Sequence, residues 1–343
     1  MGKKFFISSI LGSIIILLIL GLVVFYTDPW QQFRYNNKYY NGDQRILNIG
    51  LAKNYKYKTA VIGTSTSENF LKEDVDVYFK TNSVNLSIAG ATALEQRNLL
   101  EVIINNKNVE NIIYGLDFFS YNRLEKRIEQ TDYTKFRNVH KYLFNINVLR
   151  DTAKIIIQKL LNKNDEDWIY KKHFWGDKFK YSEESTLSFN LKTQSGRQNL
   201  GILKEIKLGY NYEIMKENFD EFLKMVDKNK NINYIIYLPP YSVLYWYELE
   251  KYDSLKEILK FKKYIYDKTK NLKNILIYDF QDREDIISNL NNYKDSVHYG
   301  YFINKKIIEE LKIIKEKNYD CDFDKNIKKL IEKNEEKFKN INI

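Results

Sequence analysis

The longest apolar run in the chain extends from Phe5 to Tyr26, 22 residues without a charge. As a helix it would measure about 33 Å, enough to cross the hydrocarbon core of a bilayer. It ends in Val-Val-Phe-Tyr-Thr-Asp-Pro rather than in the small residues of a signal-peptide cleavage site, so an uncleaved anchor is expected. Lys3 and Lys4 precede it, which places the N-terminus in the cytoplasm and the rest of the chain outside. No second run has membrane length, so the pattern predicts a single-pass protein. Trp30, Tyr35, Tyr39 and Tyr40 follow closely and suit a membrane interface.

Beyond residue 55 short apolar runs alternate with helical spacing. Lys58–Ile62, Ser83–Ile88, Asn111–Leu116, Asn233–Leu238 and Asn274–Tyr278 predict strands, three of them stopped by Gly63, Ala89-Gly90 and Pro239-Pro240. Helical patterns cover Leu94–Ile104, about 215–228, about 254–270 and Phe302–Lys315. Apolar strands separated by helices predict an α/β domain over 56–320, a three-layer, mostly parallel sheet with helices on both faces. Ligands of such sheets bind at the loops after the strands. Residues 119–215 break the alternation. This insertion carries a helical pattern at 148–163 and an aromatic stretch at Trp168–Trp175, and is expected to form a mainly helical lid or subdomain. Residues 321–343 are rich in Lys, Glu and Asn, the pattern of an exposed helix or a frayed end.

Composition narrows the chemistry. The chain has 343 residues, 44% hydrophobic and 29% charged, which excludes a disordered or fibrous protein. A single cysteine, Cys321, rules out an internal disulfide and any multi-cysteine cluster, and His140, His173 and His298 are the only histidines. No metal or soluble cofactor is expected. The net charge of +10 shows no clustering beyond a Lys-rich background, so nucleic acid is not an expected partner, while anionic lipids or polymer phosphates suit the charge.

Two loops after strands carry the candidate chemistry. In Gly63-Thr64-Ser65-Thr66-Ser67-Glu68 a strand runs into a serine at the start of a helical turn, where backbone N–H groups can stabilise an oxyanion. Ser65-x-x-Glu68 is equally a capping-box pattern. Ser67 lacks the Gly-x-Ser spacing. In Asp295-Ser296-Val297-His298 an acid and an imidazole sit three residues apart, so that Asp295 can orient His298 and leave its other nitrogen to deprotonate a serine. A surface histidine beside an acidic cap is the alternative. Both loops open on the same sheet edge. Asn122 is a further amide without a sequence feature to position it, and Arg97, a further cation, lies in a helical pattern and is expected to face solvent. Tyr241, Tyr245 and Trp246 follow the fourth strand, where they can line a cleft or pack beneath the lid.

These blocks resemble the SGNH (GDSL-like) hydrolase-fold family, in particular its membrane-anchored branch that acts on cell-envelope polymers and includes teichoic acid D-alanylation proteins and polysaccharide O-acetyltransferases. The resemblance covers about Lys58–Lys315 without the insertion. It implies that Ser65 is the nucleophile, that Asp295 and His298 complete the triad, and that the Gly90 N–H belongs to the oxyanion hole. Where the family has Gly-x-Asn-Asp this chain has Gly115-Leu116-Asp117-Phe118. Asp117, and Tyr241 at the cleft rim, complete the candidate oxyanion and substrate-binding set; an ionised carboxylate would repel an oxyanion, so the alternative for Asp117 is a hydrogen bond to the Ser65 loop or the helix N-terminus. The implied function is a membrane-anchored extracytoplasmic serine acyltransferase or esterase that modifies hydroxyl groups of a cell-envelope polysaccharide or teichoic-acid-like polymer. A membrane O-acyltransferase is an implied partner. The alternative is a non-catalytic envelope-assembly or polysaccharide-binding protein on the same scaffold.

Overall fold

The computed structural model describes residues 2–36, 43–105, 108–123, 136–161, 174–187, 209–313 and 322–339. Five strands are defined: β1 (Thr59–Ile62), β2 (Ser83–Asn85), β3 (Asn111–Gly115), β4 (Asn233–Leu238) and β5 (Ile275–Asp279). The helices are α1 (Gly2–Thr27), α2 (Gln44–Asn54), α3 (Lys72–Phe79), α4 (Ala93–Ile104), α5 (Phe118–Tyr121), α6 (Phe136–Leu143), α7 (Ile146–Leu160), α8 (Tyr212–Lys228), α9 (Val243–Lys251), α10 (Leu255–Thr269), α11 (Glu284–Ile287), α12 (Tyr301–Ile313) and α13 (Phe323–Lys339). The chain divides into two compact units, one of Met1–Tyr55 with Ile128–Lys172 and one of Lys56–Arg127 with His173–Ile343.

The larger unit is an α/β domain. Its five strands pair in parallel in the order β2-β1-β3-β4-β5. Most of their residues are buried, β1 throughout, which accounts for their continuous apolar runs. Residues on the two faces of β4 meet different elements. Tyr234 packs edge-on against Phe222 of α8, whereas Tyr237 points the other way onto Phe70. Helices therefore flank both faces, α8 with α4 and α10 on one and α3 with α12 on the other. The order reverses between β1 and β3: the chain first steps outward to β2, then returns to the far side of β1. Such a switch point parts the loops leaving its two strands and opens a crevice at their C-terminal ends. α13 buries Phe323, Ile327, Leu330 and Ile331 against α9 and neighbouring elements, so this tail segment is a packed helix rather than a frayed end.

The smaller unit gathers α1, α2, α6 and α7. α1 is long and apolar enough to cross a membrane. Directly after it, Asp28 adopts a left-handed backbone and its buried carboxylate accepts the N–H groups of Gln32, Phe33 and Arg34, each at 2.9 Å, and the Tyr142 hydroxyl at 2.9 Å. Trp30 is buried, not interfacial, because its indole N–H is satisfied by Asp151 at 3.0 Å and its ring packs edge-on against Tyr142. Val24, Trp30, Tyr142 and Val148 form the small core. The predicted insertion thus contributes α6 and α7 to the N-terminal unit. Tyr39, Tyr40 and Trp168 lie outside the described residues.

Candidate active site

β1 and β3 deliver Ser65 and Asp117 to the two sides of the switch point. Gly63 turns the chain out of β1 at φ +152°, and a Cβ there would come within 2.2 Å of the Ser67 hydroxyl. A Cβ on Gly115 would lie 2.4 Å from the same hydroxyl. Both glycines are needed for Ser67 to sit between the strands, where it exchanges a 2.7 Å hydrogen bond with Tyr237. Ser67 is fully buried, which removes it as a rival nucleophile. Ser65 begins a single 3₁₀ turn, Ser65–Ser67, instead of a long helix. That turn is pinned by Asn85, whose amide donates to the Ser67, Glu68 and Phe70 carbonyls, and by Asn304 of α12, which donates to the Thr66 carbonyl at 2.9 Å.

The Ser65 Oγ lies 2.8 Å from Nε2 of His298, across 233 positions of sequence. On the far side of the ring, Nδ1 is 2.8 and 2.9 Å from the two Asp295 oxygens. Asp295 Oδ1 also accepts the backbone N–H groups of Val297 at 3.0 Å and His298 at 2.7 Å, which fixes the carboxylate relative to the ring. Burial on its own would raise the Asp295 pKa. The neighbouring His298, the hydrogen bonds and Lys294 outweigh it and hold the acid below its ordinary value. An ionised Asp295 only accepts, so the imidazole proton resides on Nδ1 and Nε2 is free to accept the Ser65 O–H. The loop is moored to the exit of β4, where the Ser242 hydroxyl donates to the Ser296 carbonyl at 2.7 Å and the Tyr293 hydroxyl to the Pro240 carbonyl at 2.8 Å. The capping-box alternative does not form. The Ser65 side chain turns to His298, and the Glu68 carboxylate accepts the Trp175 indole N–H at 2.9 Å.

Asp117 sits beneath this triad, fully buried. Its oxygens accept the hydroxyls of Thr64 at 2.5 Å, Thr66 at 2.9 Å and Tyr241 at 2.6 Å. Burial raises its pKa, against the opposing pull of these three donors. Asp117 therefore serves as a knot that ties the serine loop to β3 and the β4 exit, and its acceptors face hydroxyls rather than an oxyanion. Tyr241 is enclosed by Phe118, Tyr245 and Trp246, which leaves no ring face for a sugar. Tyr245 and Trp246 are equally buried. Asn122 is engaged elsewhere, donating to the Gly209 carbonyl and accepting from the Asn211 N–H. Arg97 bonds the Asn218 carbonyl and side chain on α8.

Gly90 occupies the loop after β2 at φ +57°, and the Ile88 N–H ties that loop to the Gly63 carbonyl at 3.0 Å. Among the described residues, the N–H groups of Ser65 and Gly90 donate to no protein acceptor, which leaves both open to an oxyanion. Trp175 is a wall that the sequence pattern did not single out. Its ring meets His298 edge-on at 5.4 Å, its N–H is held by Glu68, and Lys294 lies over its face at 4.1 Å. Burial lowers the Lys294 pKa, opposed by Asp295 and Glu68. Nothing local in sequence links Trp175 to position 298. His140 is exposed on α6, and His173 lies outside the described residues. Among the described residues no cluster of three His, Cys, Asp or Glu side chains is arranged to hold a metal ion.

No family model matches the chain, and no curated protein matches it.

Proposed function

We propose that this protein is an SGNH-type serine acyltransferase or esterase, anchored by α1 with its α/β domain outside the cytoplasm, and that it modifies hydroxyl groups of a cell-envelope glycopolymer. The observation that carries the reading is the unbroken hydrogen-bonded line Ser65–His298–Asp295 at the switch point of the sheet. Ser65 attacks the acyl carbonyl carbon while Nε2 takes its proton. The tetrahedral oxyanion rests on the Ser65 and Gly90 N–H groups. His298 returns the proton to the leaving oxygen as the carbon–oxygen bond breaks, leaving an acyl-Ser65. A polymer hydroxyl, or water, then gives its proton to Nε2, attacks the same carbon, and restores the serine. Asp295 keeps the ring in the productive tautomer throughout. The apolar run of α1 and Lys3 and Lys4 in its first turn support the single-pass orientation.

Labelling of the purified protein with a fluorophosphonate, mapped by mass spectrometry, tests the reading. An adduct on Ser65 that is lost in Ser65→Ala supports it, and undiminished labelling of that variant removes Ser65 from the mechanism. The loss of a side-chain amide donor at Asp117 favours one rival, a glycan-binding assembly protein on this scaffold. It predicts polymer binding that survives Ser65→Ala/His298→Ala with unchanged acylation of the cell surface.

A further inference from the structure

We infer that the pair α6–α7 is a second membrane contact, dipping into the leaflet from which α1 emerges. The inference rests on the reading of α1 as a membrane span. The link between the two helices, Phe144-Asn145, packs on α1 at Gly21: a Cβ built on Gly21 would lie 3.5 Å from Phe144 Cζ and 3.8 Å from Leu143 Cδ1. Gly21 is five residues before the end of the uncharged run, about 7–8 Å along the helix axis. If the run from Phe5 to Tyr26 fills the hydrocarbon core, the α6–α7 link is held below its surface by the same contact.

The surface of α7 fits that depth. Val148, Asp151, Thr152 and Ile155 face the small core, yet the helix also exposes a stripe of large aliphatic side chains. Ile146 is 76% exposed, Ile157 54%, Leu160 77% and the following Leu161 61%. Ile146, Ile157 and Leu160 lie within about 60° of one another around the helix, with the small Ala153 between them, so they share one side. Such a stripe is costly in water and is the signature of a helix lying in a membrane interface, its apolar side about 5–10 Å deep. Arg150 lies within the stripe, one turn after Ile146, and Lys154 beside it; both are exposed and long enough to carry their charges out to anionic headgroups. The occupant is therefore lipid, and the half-exposed Phe144, next to Ile146, joins the start of the stripe to α1 at Gly21.

The full chain carrying Cys321→Ser and a single new cysteine, labelled with an environment-sensitive fluorophore and reconstituted in phosphatidylcholine–phosphatidylglycerol vesicles, tests the inference. One probe replaces Ile157, another Leu160, and a third Leu18 in α1, all exposed so that no core side chain is lost. A blue shift with quenching by chain-labelled spin lipids at 157 and 160, and insensitivity to aqueous iodide, is the expected result. A quenched Leu18 probe with water-exposed probes at 157 and 160 overturns the inference while leaving the anchor intact. Probes at 157 and 160 shielded from iodide but unquenched by spin lipid show a protein partner instead and also overturn it. An unquenched Leu18 probe refutes the anchor itself, and the inference with it.

Discussion

Replacing Asp295 with asparagine should disable Ser65 while leaving the fold untouched. Oδ1 of Asp295 accepts two backbone N–H groups, from Val297 at 3.0 Å and His298 at 2.7 Å. In Asp295→Asn these donors hold the amide oxygen in that place, so the NH₂ takes the other position, 2.8 Å from Nδ1. A donor there opposes a protonated Nδ1 and, although the amide oxygen stays 2.9 Å from that nitrogen, shifts the ring proton toward Nε2. Nε2 then donates toward Ser65 and cannot accept its proton. A tautomer error of this kind costs about 10⁴-fold, roughly 5.5 kcal/mol of transition-state stabilisation. The assay is the second-order rate of fluorophosphonate labelling at Ser65, with thermal unfolding at neutral pH run in parallel. A rate within about tenfold of the unsubstituted protein would refute the tautomer argument, since it would mean that the ring does not depend on Asp295 for its proton. Asp295 also titrates below its ordinary value in the fold, so its share of stability is present above the usual carboxylate range and is lost as pH falls through the lowered pKa. Asp295→Asn should lack that share and flatten the acid limb of an unfolding profile.

Asp117→Asn should lower stability by about 1–3 kcal/mol, because one of the hydroxyls of Thr64, Thr66 and Tyr241 must then face a donor, and it should not accelerate labelling; calorimetry and the labelling rate check both. The raised pKa of Asp117 means that its contribution is present at low pH and is lost as pH rises through the folded value, a dependence the asparagine variant should not show. Asp28→Ala should loosen the N-terminal unit by about 3–5 kcal/mol by stranding three backbone N–H groups and the Tyr142 hydroxyl, seen as accelerated proteolysis between Tyr26 and Tyr55. Lys262, buried against Asp279 at 2.6 Å, is held by burial at about 8, so unfolding takes up a proton between about pH 8 and the ordinary lysine range, and stability should rise with pH across that window. Lys262→Met alone should cost about 3–5 kcal/mol, whereas Lys262→Met/Asp279→Leu should recover most of it in denaturant titrations.

The sheet was legible because buried parallel strands are written as unbroken apolar runs. Each predicted strand is present, within one residue at its start and three at its end. The helices α4, α8, α10 and α12 were legible for the opposite reason, a single apolar face. α9 escaped notice because Val243–Leu249 is buried on nearly all sides and so carries no period. α3 is short and only Val75 of it is buried. Ser65, Asp295 and His298 could be named from spacing within two loops, since each loop follows a strand and the parallel sheet carries both to one edge. Trp175 could not, because its contact with His298 depends on where a long insertion returns. The same holds for Trp30, whose partners Tyr142 and Asp151 are more than a hundred residues away.

Asp117 shows how a carboxylate can be accommodated beneath the serine loop, its charge shared among three hydroxyl donors. An acid aimed at the reacting centre would oppose an oxyanion, but here both oxygens are turned toward hydroxyl donors and away from that task. The Thr64 and Thr66 hydroxyls flank Ser65 in sequence, so their bonds fix the backbone on either side of it, and Tyr241 extends the bracing to the segment after β4 that moors the His298 loop. The rigidity of the nucleophile and the placement of its base then share one buried anchor. In the proposed mechanism oxyanion stabilisation falls to backbone N–H groups alone, without the donor a side-chain amide would add, a difference of about 10²–10³ in rate. On this account Asp117→Ala should harm labelling more than Asp117→Asn does. Alanine releases all three hydroxyls and lets the serine loop drift from the 2.8 Å contact with His298, whereas asparagine keeps most of the bracing. The reverse order of rates would show that the charge of Asp117, and not its hydrogen bonds, is what the site responds to.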